Sequence, residues 1–110
     1  MIAACRIRER RRDALIADLR ARLVGLPFPA FLFGSWARGN FDAYSDIDIL
    51  VVAGDRISSR TAYSLTSDRL RGIPRDYDIV VIHEGDSHEA LRSGQPLNAA
   101  AEAARACAAV

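Results

Sequence analysis

Asp46 and Asp48 stand one residue apart at the head of the apolar run Ile49-Leu50-Val51-Val52, where the chain reads as entering a buried strand. Alternate side chains of a strand share a face, so the two carboxylates point one way while Ile47 and Ile49 point the other. Like charges held side by side raise each other's pKa unless something positive lies between them, and an oxygen-preferring divalent cation is the usual occupant. Downstream, "RDYDIVVIHEG" repeats the design, with Asp76 and Asp78 on one face and Ile79 and Val81 on the other. Asp78 is favoured over Asp76 as partner of the first pair, because it directly precedes "IVVI" as Asp48 precedes "ILVV". Neighbouring strands would bring Asp46, Asp48 and Asp78 to one place.

The elements that must position these groups follow from periodicity. In "RIRERRRDALIADLRARL" the residues Ile7, Leu15, Ile16, Leu19 and Leu23 recur at helical spacing, so an amphipathic helix is expected to end near Gly25. Ala30 to Phe33 is a short apolar run between Pro29 and Gly34, the length of a buried strand. "WARGNFDAYS" reads as loop or one helical turn, and "DIDILVVAG" as a second strand closed by Gly54. A helix from Ser58 to Arg71 follows, with Ala62, Leu65 and Leu70 inward, Ser58 or Ser59 as cap, and Gly72 and Pro74 as the stop. After the third strand, Asp86 with Glu89 has capping-box spacing for a short helix that Gly94 ends. Pro96 suits the first turn of a last helix whose inner seam is Leu97, Ala100, Ala101, Ala104 and Ala108. The expected fold is α/β, a small mixed sheet of about three strands flanked by helices in the order α-β-α-β-α-β-α.

Length and composition bound the rest. A chain of 110 residues has room for one modest core, so residues 1–110 are read as a single domain with no separate substrate domain. No apolar run approaches the roughly 20 residues needed to span a bilayer, so no membrane association is expected. Formal net charge is +1, which offers no global field for nucleic acid. All 15 basic side chains are arginine, a pattern read as coding bias, and the absence of lysine excludes a lysine nucleophile. Cys5 and Cys107 show neither CxxC nor Cys/His spacing, which argues against a zinc site and for a reducing cytoplasm. The opening segment is interrupted by Glu9, Asp13 and Asp18 and reads as a folded helix rather than a transit peptide.

Gly34-Ser35, ten intervening residues, and Asp46-Ile47-Asp48 at the head of an apolar strand together resemble the signature of the polymerase beta-like nucleotidyltransferase superfamily. The order of elements, with a later strand led by Asp78, is similar to the minimal nucleotidyltransferases (MNT) over essentially the entire chain. The resemblance implies transfer of a nucleoside monophosphate, AMP from ATP, with two magnesium ions held by Asp46, Asp48 and Asp78. Asp78 would also draw the proton from the attacking hydroxyl. Gly34 would let the backbone approach the triphosphate, Ser35 would donate to its oxygens, and Arg38 would add a planar cationic donor. Many relatives carry arginine at the position of Trp36, so one phosphate donor is missing. Minimal nucleotidyltransferases pair with small helical HEPN proteins in toxin-antitoxin systems and modify a hydroxyl on the partner. A protein acceptor and a hetero-oligomer are therefore implied, homo-oligomerisation being the other possibility. The alternatives are a catalytically inactive binding antitoxin of the same fold, and transfer to a small molecule such as an antibiotic.

Other features have plainer explanations. Trp36 is expected to be buried, with Tyr44 the other aromatic able to stack on a base. "HEGDSH" offers His83, Glu84, Asp86 and His88, and is better explained as a loop with a helix cap than as a metal site. Arg10 to Arg12 are read as a solvated helix face.

Overall fold

The computed structural model describes residues 2–108 of the chain, with the side chains of residues 6–107. The elements run α1 (Ile2–Arg22), β1 (Ala30–Phe33), α2 (Gly34–Arg38), β2 (Ile47–Ala53), α3 (Ser59–Arg69), β3 (Tyr77–His83), α4 (Ala90–Ser93), β4 (Gln95–Pro96) and α5 (Ala99–Ala108). The strands form one sheet in the order β3-β2-β1-β4. β1 runs antiparallel to both its neighbours, whereas β2 and β3 are parallel. That mixture follows from the connections. The short segment containing α2 reverses the chain between β1 and β2, and α3 supplies the longer crossover that a parallel pair requires.

The α/β class is as expected, with one strand more than the three that apolar runs reveal. Gln95 and Pro96 pair with Leu32 and Phe31. Pro96 therefore lies in an edge strand, where a missing N–H is tolerated, and not in the first turn of the last helix. α5 starts later because Asn98 caps it: the Asn98 Oδ1 accepts from the Ala101 N–H at 2.8 Å and from the Ala30 N–H at 3.3 Å. Its Nδ2 donates to the Phe28 carbonyl at 2.9 Å, so one buried amide ties the helix start to the lead-in of β1. Ser58 caps α3 in the expected way, its hydroxyl accepting from the Thr61 N–H at 3.1 Å. Asp86 does not cap α4. Its carboxylate closes a turn by accepting from the His83 N–H, and the Ala90 N–H instead donates to the His88 Nδ1.

The two faces of the sheet are covered unequally. Ala30 and Leu32 of β1, Ile47, Ile49, Val51 and Ala53 of β2, and Tyr77, Ile79 and Val81 of β3 pack under α1, α2 and α3 in the larger core. Leu15 and Leu19 form the inner seam of α1, which Leu23 continues just past its end, but Ile7 is exposed, because a helix of about 31 Å overhangs the small sheet. In α3 the buried positions are Ala62 and Thr66, with Leu70 buried just past its end; Leu65 faces solvent. Strict four-residue spacing places Thr66 inward, and its hydroxyl donates to the Ala62 carbonyl at 2.8 Å, which makes a polar residue acceptable there. On the other face, Phe31 and Leu50 pack with Ala90 and Ala101, flanked by Phe33, Val52, Ile82 and Leu91. Of the small-residue seam expected in the last helix, Ala101 is buried and Ala100 half-buried, whereas Ala104 is exposed. The side chain of Ala108 lies outside the described residues, as does that of Cys5, while Cys107 is an exposed free thiol. α4 and α5 lie over the β1 side of this second face. The β3 side is left more open, with Val80 37% exposed.

Candidate active site

By alternation, the second face carries Asp48, Leu50 and Val52 on β2, and Asp78, Val80 and Ile82 on β3. Asp48 and Asp78 are register partners in the parallel pair, so their backbones lie about 4.8 Å apart and their carboxylates leave the sheet on the same side. Asp46 precedes β2 by one residue and continues that face. Burial of Asp48, followed by the charges of Asp78 and Asp46, pushes its carboxyl above the usual aspartate value, and Arg38 pulls it partly back. Asp48 thus senses both other carboxylates, and Arg38 lies within its electrostatic reach, although exposed at the end of α2.

Gly34 sits against this cluster. Phe33 pairs with Asp48 in the sheet, and the next residue turns with φ +76 into α2. A Cβ at Gly34 would overlap the Asp48 Oδ2 and come within 3.2 Å of the carboxyl carbon. The close approach that requires glycine here is therefore to the carboxylate itself. Ser35 is half-buried, and among the described residues its hydroxyl has no hydrogen-bond partner, leaving it available to a ligand. Its carbonyl accepts from the N–H groups of Gly39 and Asn40, which closes α2.

Asp76 is placed differently from Asp78. Its carbonyl accepts from the Ile47 N–H at 3.0 Å, and its side chain lies with Tyr44, Ser45, Asp46 and Arg75 along a cleft of about 480 Å³ at the leading ends of β2 and β3. It is not among the charges acting on Asp48, so the register singles out Asp78 as the partner of that carboxylate.

Among the described residues, no three His, Cys, Asp or Glu side chains close on a single point as a preformed metal cage does. For the "HEGDSH" loop the local bonds say why: the His83 Nε2 engages the Ser59 hydroxyl, Asp86 closes its turn, and His88 lies edge-on to Phe33 while bonding the Ala90 N–H. Asp46, Asp48 and Asp78 are ranged along one face instead. That arrangement suits magnesium, which takes one or two carboxylates, keeps several waters and completes its shell with substrate phosphate.

Residues 28–102 match the model of the family described as polymerase beta, nucleotidyltransferase. The chain belongs to that family. A solved structure from Sulfolobus solfataricus, described there as a nucleotidyltransferase by provisional assignment, is 26% identical over 86% of this chain and 83% of that one, with a TM-score of 0.48. The chain has no significant match among curated proteins. In this nucleotidyltransferase domain Gly34, Ser35, Arg38, Asp46, Asp48 and Asp78 all fall inside the matched segment.

Two supporting arginines of the domain were hidden in the sequence. Arg12 does not belong to a solvated face: its guanidinium donates to the Trp36 carbonyl at 3.2 Å and to the Ala37 carbonyl at 3.1 Å, fastening the end of α2 to α1. Arg75 lies over the Trp36 ring, 4.7 Å from its centroid. Trp36 itself is buried, stacked on Phe41 at 3.7 Å, and its Nε1 donates to the Ser45 carbonyl at 3.1 Å. In a chain whose cations are all arginine, residue type marks none of them as special; only the placement of Arg12 and Arg75 does so.

Proposed function

We propose that this nucleotidyltransferase domain transfers AMP from ATP to a hydroxyl on a protein partner, with magnesium held by Asp46, Asp48 and Asp78. The observation that carries the reading is the register of Asp48 with Asp78 beside Gly34, on a sheet face that helices leave partly open. Magnesium, when bound, neutralises phosphate charge and polarises the acceptor hydroxyl. Ser35 and Arg38 donate to the phosphates. Asp78 accepts the proton as the acceptor oxygen forms its bond to the α-phosphorus, and the bond from that phosphorus to pyrophosphate breaks. Much of the work is positioning, which the parallel β2–β3 pair and the Gly34 contact perform before substrate arrives.

A protein acceptor is supported by the surface next to the carboxylates. Val80, 37% exposed, follows Asp78 on the same face of β3, and the half-buried Ile82 and Val52 beside it pack against the second core cluster, so the apolar surface next to the carboxylates centres on Val80. Resemblance to minimal nucleotidyltransferases implies a HEPN-type helical protein as that partner, in an antitoxin role within the cytoplasm. Co-expression with a helical protein encoded beside it, followed by mass spectrometry, is expected to show a partner carrying added AMP, with the adduct lost in Asp48→Asn. Transfer to an antibiotic or an RNA end with no protein adduct would overturn the acceptor, and no transfer from any nucleoside triphosphate would overturn the reaction.

A further inference from the structure

The cleft at the leading ends of β2 and β3 is walled by two loops, residues 43–46 and residues 73–76. The first is closed by hydrogen bonds. The Asp42 carboxylate accepts from the Tyr44 N–H at 2.8 Å, the Ser45 hydroxyl accepts from the Asp42 N–H at 2.9 Å, and Trp36 donates to the Ser45 carbonyl. Yet the Tyr44 side chain at the centre of this turn is 92% exposed, an aromatic surface fixed at its base and covering nothing. Across the cleft, the Arg75 guanidinium carbon lies over the Trp36 ring, 4.7 Å from its centroid, and among the described residues Arg75 forms no ion pair and no hydrogen bond. A cation over an aromatic ring still needs acceptors for its N–H groups, and those of Arg75 are free to donate into the cleft. Asp46 and Asp76 supply acceptors in the same cleft.

We propose that this cleft is the subsite for the nucleobase of the donor nucleotide, with Tyr44 as the stacking surface and Arg75 and Asp76 as the polar readers of the base edge. The proposal rests on the nucleotidyl-transfer reading above. A polyanion is a poor occupant, because Asp46 and Asp76 would repel it, and an apolar group would strip water from both carboxylates and Arg75 without replacing their hydrogen bonds. A flat, uncharged ring carrying both donors and acceptors satisfies Arg75 and Asp76 and offers a π-face to Tyr44, with Asp46 left to the metal. The location agrees: Asp46 lines the cleft and lies two residues, about 6.6 Å of strand, from Asp48, so a base in the cleft is continuous with phosphates at the carboxylates.

Titration of ATP and of inorganic triphosphate, each with magnesium, separates base from phosphate recognition. Tyr44→Ala is expected to weaken ATP about tenfold, the scale of a lost base–aromatic stack, and to leave triphosphate unchanged, while Tyr44→Phe retains ATP affinity. Arg75→Met, which keeps an apolar cover on Trp36, is expected to narrow the preference for ATP over triphosphate. In wild type, the ring protons of Tyr44 are expected to shift upfield with ATP and not with triphosphate. Unchanged ATP affinity in both variants, or equal losses for ATP and triphosphate, would overturn the base subsite while leaving wild-type AMP transfer intact. Failure of wild type to bind ATP at all would overturn this subsite together with the reaction.

Discussion

Asp48 is where folding and chemistry are in tension. Its native pKa is raised first by burial and then by Asp78 and Asp46, so ionising it is harder in the folded chain than in the unfolded one. For a raised carboxyl, the stabilising difference is complete below the unfolded value and is lost as pH rises through the native value. Without divalent ions, Asp48→Asn is therefore expected to match wild type in melting temperature near pH 3 and to equal or exceed it near pH 7. A variant less stable at pH 7 and equal at pH 3 would show instead that the ionised carboxylate stabilises the fold. Gly34 belongs to the same tension. With φ +76 and no Cβ, it lets Asp48 lie against the start of α2, a contact that any larger residue would displace.

α2 has five residues, too short to persist by its own hydrogen bonds. It is held from both sides, by Trp36 stacked on Phe41 within the core and by Arg12 reaching from α1 to its last carbonyls. Arg12→Ala is expected to cost about 1–2 kcal/mol in urea unfolding, the scale of charge-assisted hydrogen bonds to carbonyls that water can partly replace. Arg10→Ala and Arg11→Ala, on the exposed side of the same helix, are expected to cost less than about 0.5 kcal/mol. Equal effects at all three positions would refute the capping role. Because Gly34, Ser35 and Arg38 all lie on α2, the loss at Arg12 is also a loss of order at the carboxylate site.

At the scale of the molecule, one layer of helices backs the sheet over the larger core and a second covers mainly its β1 side, so the β3 edge keeps a more open face. A cation bridging Asp48 and Asp78 would tie the edge strand β3 to β2 and add to the stability of the whole. Magnesium at ten times its dissociation constant is expected to stabilise the native state by about 1.4 kcal/mol. The gain should appear as a rise in melting temperature that EDTA reverses and that Asp48→Asn abolishes. A rise of the same size in the variant would place the ion elsewhere. Among the described residues, no helix is long and apolar enough to cross a membrane.

Local pattern alone determined a good deal: β1 at its observed bounds, β2 and β3 to within a residue or two of theirs, a cap for α3 at Ser58 or Ser59, and the placing of Asp46 and Asp48 on one face. Each of these depends on side-chain alternation or on a hydrogen bond within a few residues, which adjacent positions express directly. Tertiary structure decided what depends on distant partners. A two-residue strand at Gln95–Pro96 has no periodicity to read and exists only because β1 lies beside it. Thr66 rather than Leu65 is buried because packing selects the face and a backbone carbonyl satisfies the hydroxyl. Asp78 was separable from Asp76 by analogy alone until parallel pairing set it level with Asp48. Arg12, Arg75 and the cleft of Tyr44 arise from contacts across 24 or more residues or between separate loops, and no spacing in a chain encodes a meeting of that kind.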